Sequence, residues 1–145
     1  MYKRILLPTD GSEPSQRAIL AGVDFAKEIG AEVVAMTAIP EFRTFTTDAE
    51  MLEQTRDQYE AASKERGQRL LDEVASAARD AGVVCTRVLA VSDNPYDAII
   101  TSARDHQCDL IVMASHGHRG LKGLLLGSET QKVLVHSAIP VMVHR

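Results

Sequence analysis

Apolar residues along the chain fall into two patterns, short unbroken runs and helical stripes, and the two alternate. Ile5-Leu6-Leu7 is a continuous run closed by Pro8-Thr9-Asp10-Gly11-Ser12, a dense turn signal. A run without polar alternation suits a strand buried on both faces, as in a parallel sheet. Ser12 is placed to cap a helix that admits Pro14 in its first turn. Ala18, Gly22, Phe25 and Ile29 recur at spacings of four, three and four, an inward stripe, and Gly30 supplies the left-handed stop. The unit then repeats: Glu32 to Ile39, with Val33, Val34 and Met36, predicts a second strand ending at Pro40.

Residues 40–47 have no period and read as a surface loop. Asp48 to Ala81 predicts a long charged helix. Glu50, Glu53, Arg56, Asp57, Glu60 and Lys64 suit its solvated half, and Leu70, Val74, Ala77 and Ala81 a packing stripe ahead of Gly82. Gly67 marks a candidate bend. Val83 to Val91 alternates more than the earlier strands, with Thr86 and Arg87 inside it, which suits a sheet edge. Asn94, Pro95 and Asp97 start a helix on which Ala98, Ile99 and Ala103 pack. After Asp109, Leu110 to Ala114 is another fully apolar strand, and a glycine-rich loop leads to Gly127. Ser128 and Gln131 have the spacing of a capping box for a last helix to about Ser137, and Pro140 to His144 closes the chain as a short strand.

Five strands alternating with four helical segments predict an open α/β sheet with helices on both faces. Crossover handedness limits the topology, yet the pattern alone leaves the strand order open. At 145 residues the chain makes one domain. A net charge of −4 argues against a sequence-blind nucleic-acid binder, which needs a basic footprint. No apolar run approaches the ~20 residues of a membrane span. Pro8 and Asp10 cut short the basic-then-apolar start, so it does not read as a signal peptide. Cys85 and Cys108, widely spaced, read as small buried thiols, reduced in a cytoplasmic setting.

In such sheets ligands bind beyond the carboxyl ends of the strands, where the strand order reverses. Two loops stand there, Pro8 to Ser12 and the stretch from Ser115 to Ser128. Glycines allow backbone to approach a ligand, a helix N-terminus presents N–H groups to an anion, and His116, His118, Arg119 and Lys122 add positive charge. These features describe a phosphate cradle; a solvated glycine-rich connection is the plainer alternative. Standard phosphate motifs are missing: neither GxxxxGK[ST] nor GxGxxG occurs. His116 and His118 have the spacing to share a metal, but no third ligand lies near in sequence, so no metal held by protein side chains is expected. His136 and His144 stand alone and read as structural.

The sequence resembles the universal stress proteins. Nucleotide-binding members carry G-x2-G-x9-G-[ST] after the fourth strand, and Ala114, Gly117, Gly127 and Ser128 stand at those positions, with nine residues between Gly117 and Gly127. Pro8 to Ser12, Asp109 to His116 and Ser137 to Val141 also look like the family, so the likeness spans the chain. Ala114 departs from the motif's first glycine, and alanine fits there if its φ is negative. The resemblance implies a doubly wound sheet of order 3-2-1-4-5, ATP with magnesium between the ends of strands one and four, and a homodimer through Val141 to Val143. It would give Asp10 the ribose hydroxyls and place Pro8 and Thr9 along the adenine and ribose side. Ala38 would meet the adenine edge through its backbone, and Met113 and Ala114 would floor the pocket. Gly117, Gly127, Ser128, Glu129 and Thr130 would hold the phosphates, with His116 beside them. Asp10 as a plain turn-forming residue is the alternative.

The expected function is an ATP-binding regulatory stress protein with no catalytic residue, acting on a protein partner and touching neither nucleic acid nor membrane. A nucleotide-free dimer working through protein contacts and a slow ATP hydrolase are the alternatives. Efficient phosphoryl transfer lacks a Walker lysine and an arranged carboxylate pair. Flavin binding is disfavoured by an aromatic content of 4% and the absence of Trp.

Overall fold

The computed structural model describes residues 1–42, 49–117 and 125–145, and only the backbone of residues 49–52 and 54. Five strands, β1 (Arg4–Pro8), β2 (Glu32–Ile39), β3 (Cys85–Val91), β4 (Leu110–Ala114) and β5 (Val141–His144), alternate with four helices. The helices are α1 (Glu13–Ile29), α2 (Ala49–Asp80), α3 (Pro95–Asp105) and α4 (Ser128–His136). Every strand pair is parallel and the order is β3-β2-β1-β4-β5, as the resemblance implied.

Alternation along the strands builds two cores. Ile5, Leu7, Val33, Ala35, Leu110 and Val112 face Ile19, Val23 and Ala26 of α1 and Leu71, Val74 and Ala78 of α2. Leu6, Val34, Met36, Ile111 and Met113 face the opposite way, onto Ala98, Ile99 and Ala103 of α3 and Val133 of α4. Every residue of β4 is buried, which is why its sequence shows no alternation. β3 lies at one edge with Thr86 and Arg87 exposed, and β5 at the other.

The helix stripes differ in detail from the spacing argument. In α1 the buried face is Ser15, Ala18, Ile19, Gly22, Val23 and Ala26, while Phe25 and Ile29 pack at its flank. In α2 it is Ser63, Gly67, Leu71, Val74 and Ala78, one residue off the predicted register on either side of Val74; Leu70, Ala77 and Ala81 are half-buried. The helix runs unbroken through Gly67, and a Cβ there would strike the Leu89 side chain of β3, so the glycine permits close packing rather than marking a bend. Glu53, Arg56, Asp57, Glu60 and Lys64 are exposed as expected, and most of the predicted 40–47 loop lies outside the described residues.

Ser12 caps α1 by accepting from the Ser15 N–H, and Gly30 ends it at φ 72°. Asp109 fastens the N-terminus to β4 by accepting from the backbone N–H groups of Lys3 and Arg4. Desolvation raises its pKa, but those N–H bonds outweigh it and hold the carboxyl below its usual value. Cys108 is buried as predicted, whereas Cys85, on the edge strand, is only half-buried. No helix among the described residues is long and apolar enough to cross a membrane.

Candidate functional site

The reversal of strand order falls between β1 and β4. Their ladder pairs Ile5 with Leu110 and Leu6 with Ile111 and goes no further, so Pro8 at the end of β1 and Ala114 at the end of β4 have parted. A cleft of about 760 Å³ opens at that point, a size that suits a nucleotide-sized ligand.

The β1 side is built from the turn residues. The Thr9 N–H donates to the Met36 carbonyl at 2.8 Å, and the Thr9 carbonyl accepts from the Thr37 hydroxyl at 2.7 Å, which fixes the chain as it leaves the sheet. Asp10 Oδ1 accepts from the Ser12 N–H at 2.9 Å, so the Asx turn forms. Its Oδ2 faces Gly117 across the cleft, where a Cβ on residue 117 would collide with it. One oxygen holds the turn and the other lies against Gly117.

At the opposite wall β2 outruns β1. The Met36 carbonyl turns toward β1, where Thr9 takes it, and the Ile39 carbonyl turns toward the β3 side, where the Ser92 N–H takes it. Successive residues of a parallel strand alternate in this way, so the N–H and C=O of Ala38 point to the side that β1 has vacated. Met36, Pro95, Ile99 and Met113 supply apolar surface to the same cleft.

On the β4 side, Ala114 ends the strand with a negative φ, since Gln107 is the sole non-glycine of positive φ among the described residues. The alanine therefore fits without strain. Ser115 ties the loop down: its carbonyl accepts from the Gly127 N–H at 2.7 Å and its hydroxyl lies 3.0 Å from His116 Nδ1. The capping box does not form. Gly127 is the N-cap, Ser128 is already helical, and the Gln131 side chain donates back to the Leu126 carbonyl at 2.8 Å. The first helical bond runs from the Gln131 N–H to the Gly127 carbonyl, so the N–H groups of Ser128, Glu129 and Thr130 have no intrahelical partner. They make the N-terminal end of α4 an anion-attracting surface.

The structure gathers Pro8, Thr9, Asp10, Ala38, Met113 and Ala114 at this cleft, together with His116, Gly117, Gly127, Ser128, Glu129 and Thr130. Two implied roles change, those of Gly127 and Thr130, and Glu129 keeps only its backbone for an anion. The Gly127 N–H is taken by Ser115, so this glycine shapes the turn rather than donating to a phosphate. The Thr130 hydroxyl donates to the Ala114 carbonyl at 2.9 Å and is buried, leaving its backbone N–H for an anion. The Glu129 side chain accepts from the Tyr96 N–H of α3 at 2.8 Å. His118, Arg119 and Lys122 lie outside the described residues. Among those described, no lysine or arginine lines the cleft, and no three His, Cys, Asp or Glu side chains converge as metal ligands.

Sequence reasoning passed over Met36, Asp93, Pro95 and Ile99. Met36 shares a strand face with Ala38, and Pro95 starts the helix that follows the carboxyl end of β3, so the strand-end rule applied to β3 would have found that wall.

A family model described as the universal stress protein family matches residues 1–145. A universal stress protein of Methanocaldococcus jannaschii is 35% identical, the alignment covering 99% of this chain and 82% of that protein. One of Bacillus subtilis is 31% identical with both chains fully covered. Among solved structures, a second Methanocaldococcus jannaschii universal stress protein superposes with a TM-score of 0.83 at 29% identity, over 99% of this chain and 95% of that one.

Proposed function

The chain belongs to the universal stress protein family, and from that premise we propose that it is an ATP-binding regulatory module. One observation carries the reading. The cleft where β1 and β4 part has three N–H groups of α4 without intrahelical partners at one wall and the half-buried backbone edge of Ala38 at another, with Asp10 beside it. An N–H beside a C=O matches the acceptor and donor of an adenine Watson–Crick edge. A carboxylate oxygen suits ribose hydroxyls, and a helix N-terminus suits phosphates. Solved chains of this fold, 24% and 18% identical, were determined with cAMP and with AMP bound, which supports an adenine nucleotide as the ligand class.

Three first-turn N–H groups cannot neutralise a triphosphate. Among the described residues no lysine or arginine lines the cleft to assist them. Magnesium would therefore supply the remaining positive charge as the counter-ion of the phosphates. The protein's own residues bind and orient. Asp10 holds the ribose side, Ala38 reads the base, and α4 attracts the phosphates, while no group is assigned to attack a phosphorus.

We also propose that the protein is a homodimer through β5. That strand is a sheet edge with Met142 exposed, and an unpaired edge offers N–H and C=O groups to a second copy across a twofold axis. Calorimetry with ATP, ADP and GTP, with and without magnesium, tests the ligand. Mass spectrometry of whatever the purified protein releases on denaturation tests it independently. The expected result is one ATP per chain with GTP weaker; no binding at millimolar Mg-ATP and no co-purified nucleotide would overturn the reading.

A further inference from the structure

α3 begins at Pro95, yet the side chain of Asn94, its N-cap, makes no capping bond. The first-turn donor at Tyr96 is met by Glu129 Oε2 at 2.8 Å, from a residue 33 positions along the chain and on another helix. The other oxygen, Oε1, lies 3.6 Å from Lys132 Nζ. That ammonium stands 5.4 Å from the centre of the Tyr96 ring, and the His136 ring lies 5.6 Å from it on another approach. Both carboxylate oxygens are therefore engaged, and one edge of α4 is fitted to Tyr96.

The two helices so joined form separate walls of the cleft, Pro95 and Ile99 from α3 and Ser128, Glu129 and Thr130 from α4. We propose that Glu129 is a positioning residue whose carboxylate locks the N-terminus of α3 to the first turn of α4 and thereby fixes the width of the cleft. The proposal rests on the nucleotide reading above. Glu129 acts on two helices at once. Its backbone N–H belongs to the unpaired first turn of α4, while its carboxylate replaces the missing cap of α3. The same bond keeps a negative charge off the anion end of the cleft, where it would repel a polyphosphate.

Amide hydrogen exchange at Tyr96 and calorimetry with AMP and Mg-ATP, on wild type, Glu129→Ala and Glu129→Gln, test it. The glutamine keeps an acceptor and removes the charge. Glu129→Ala should speed Tyr96 exchange roughly three- to thirtyfold, the range expected for a lost cap, and weaken AMP and ATP by a common several-fold factor. Glu129→Gln should restore both protection and affinity, for AMP and ATP alike. Unchanged Tyr96 exchange in Glu129→Ala overturns the lock. Faster exchange with unchanged affinity for both ligands overturns the positioning role, leaving an ordinary helix cap. A wild type that binds neither nucleotide overturns the role together with the functional reading, whereas a binding wild type beside an unaffected Glu129→Ala overturns the role alone.

Discussion

Asp10 Oδ2 occupies the space that a Cβ on Gly117 would need. The two residues come from the loops after β1 and β4, and their contact brings those loops together at the end of the cleft. Gly117 is a glycine because of this neighbour, since no positive φ requires one there.

Asp10→Ala is expected to weaken ATP by about 1–3 kcal/mol, the worth of a charge-assisted hydrogen bond. The loss should vanish for a nucleotide lacking both ribose hydroxyls. Gly117→Ala should act in the same direction by pushing the carboxylate aside. His106→Ala is the control, because His106 does not line the cleft and its Nδ1 lies 3.0 Å from the Ser102 carbonyl. Calorimetry on all three decides the matter, and equal affinities would mean that the ribose contact is misplaced.

Gly127→Val is expected to weaken ATP more than Asp10→Ala does. A Cβ at 127 would sit 3.1 Å from His116 Cα and 3.4 Å from the Ser115 carbonyl oxygen, backbone atoms with little room to yield. Branching at that Cβ would displace the N-cap and with it the three unpaired N–H groups. The variant should also melt at a lower temperature. A stable Gly127→Val protein of wild-type affinity would remove the start of α4 from the phosphate site.

Val143→Pro takes an outward N–H from β5 and should shift the mass in light scattering from dimer toward monomer, whereas Val143→Ile should not. The Pro140 and His144 carbonyls turn to β4, so the backbone groups of Met142 point inward and those of Val143 outward. Ile111, Val112, Met113 and Ala114 pair with β5 on its inner side, so the outer edge is the one available to a second copy. A monomeric wild type would refute the proposed interface, as would a proline variant that remains dimeric with unchanged affinity.

Burial pushes the Cys108 thiol up from 9.0 to about 11, against the pull of Arg4 and with a smaller push from Asp109. The folded state therefore holds a proton that the unfolded chain releases near pH 9. Stability from this group is full below that pH and is lost as the pH rises toward about 11, by about 2–3 kcal/mol in all. Thermal melts of wild type and Cys108→Ala across this range should converge as the pH rises. Native Cys108 should also resist iodoacetamide at pH 8, labelling more slowly than the half-buried Cys85. Rapid labelling of Cys108 would contradict its burial.

What the sequence by itself determined is what depends on neighbours in the chain. Ile5-Leu6-Leu7 and Leu110 to Ala114 read as strands buried on both faces because nothing polar interrupts them, and both are fully buried. Ser12 and Gly30 bound α1 where capping chemistry requires, and Glu32 to Ile39 begins and ends where predicted. The motif glycines and Asp10 were legible as a candidate site because turn residues at strand ends are local signals too. The tertiary structure decided what lies between distant segments. The β1–β4 ladder stops at Leu6 and Ile111 and so opens the cleft. The α2 face that packs includes Gly67, set close against Leu89 of β3. Ser128 gave up the cap to Gly127 because the Gly127 N–H had found Ser115, and Glu129 reached Tyr96 because α3 and α4 lie side by side on one face of the sheet. A hydrogen bond is fixed by distance and direction in space, and spacing along the chain constrains those only within an element.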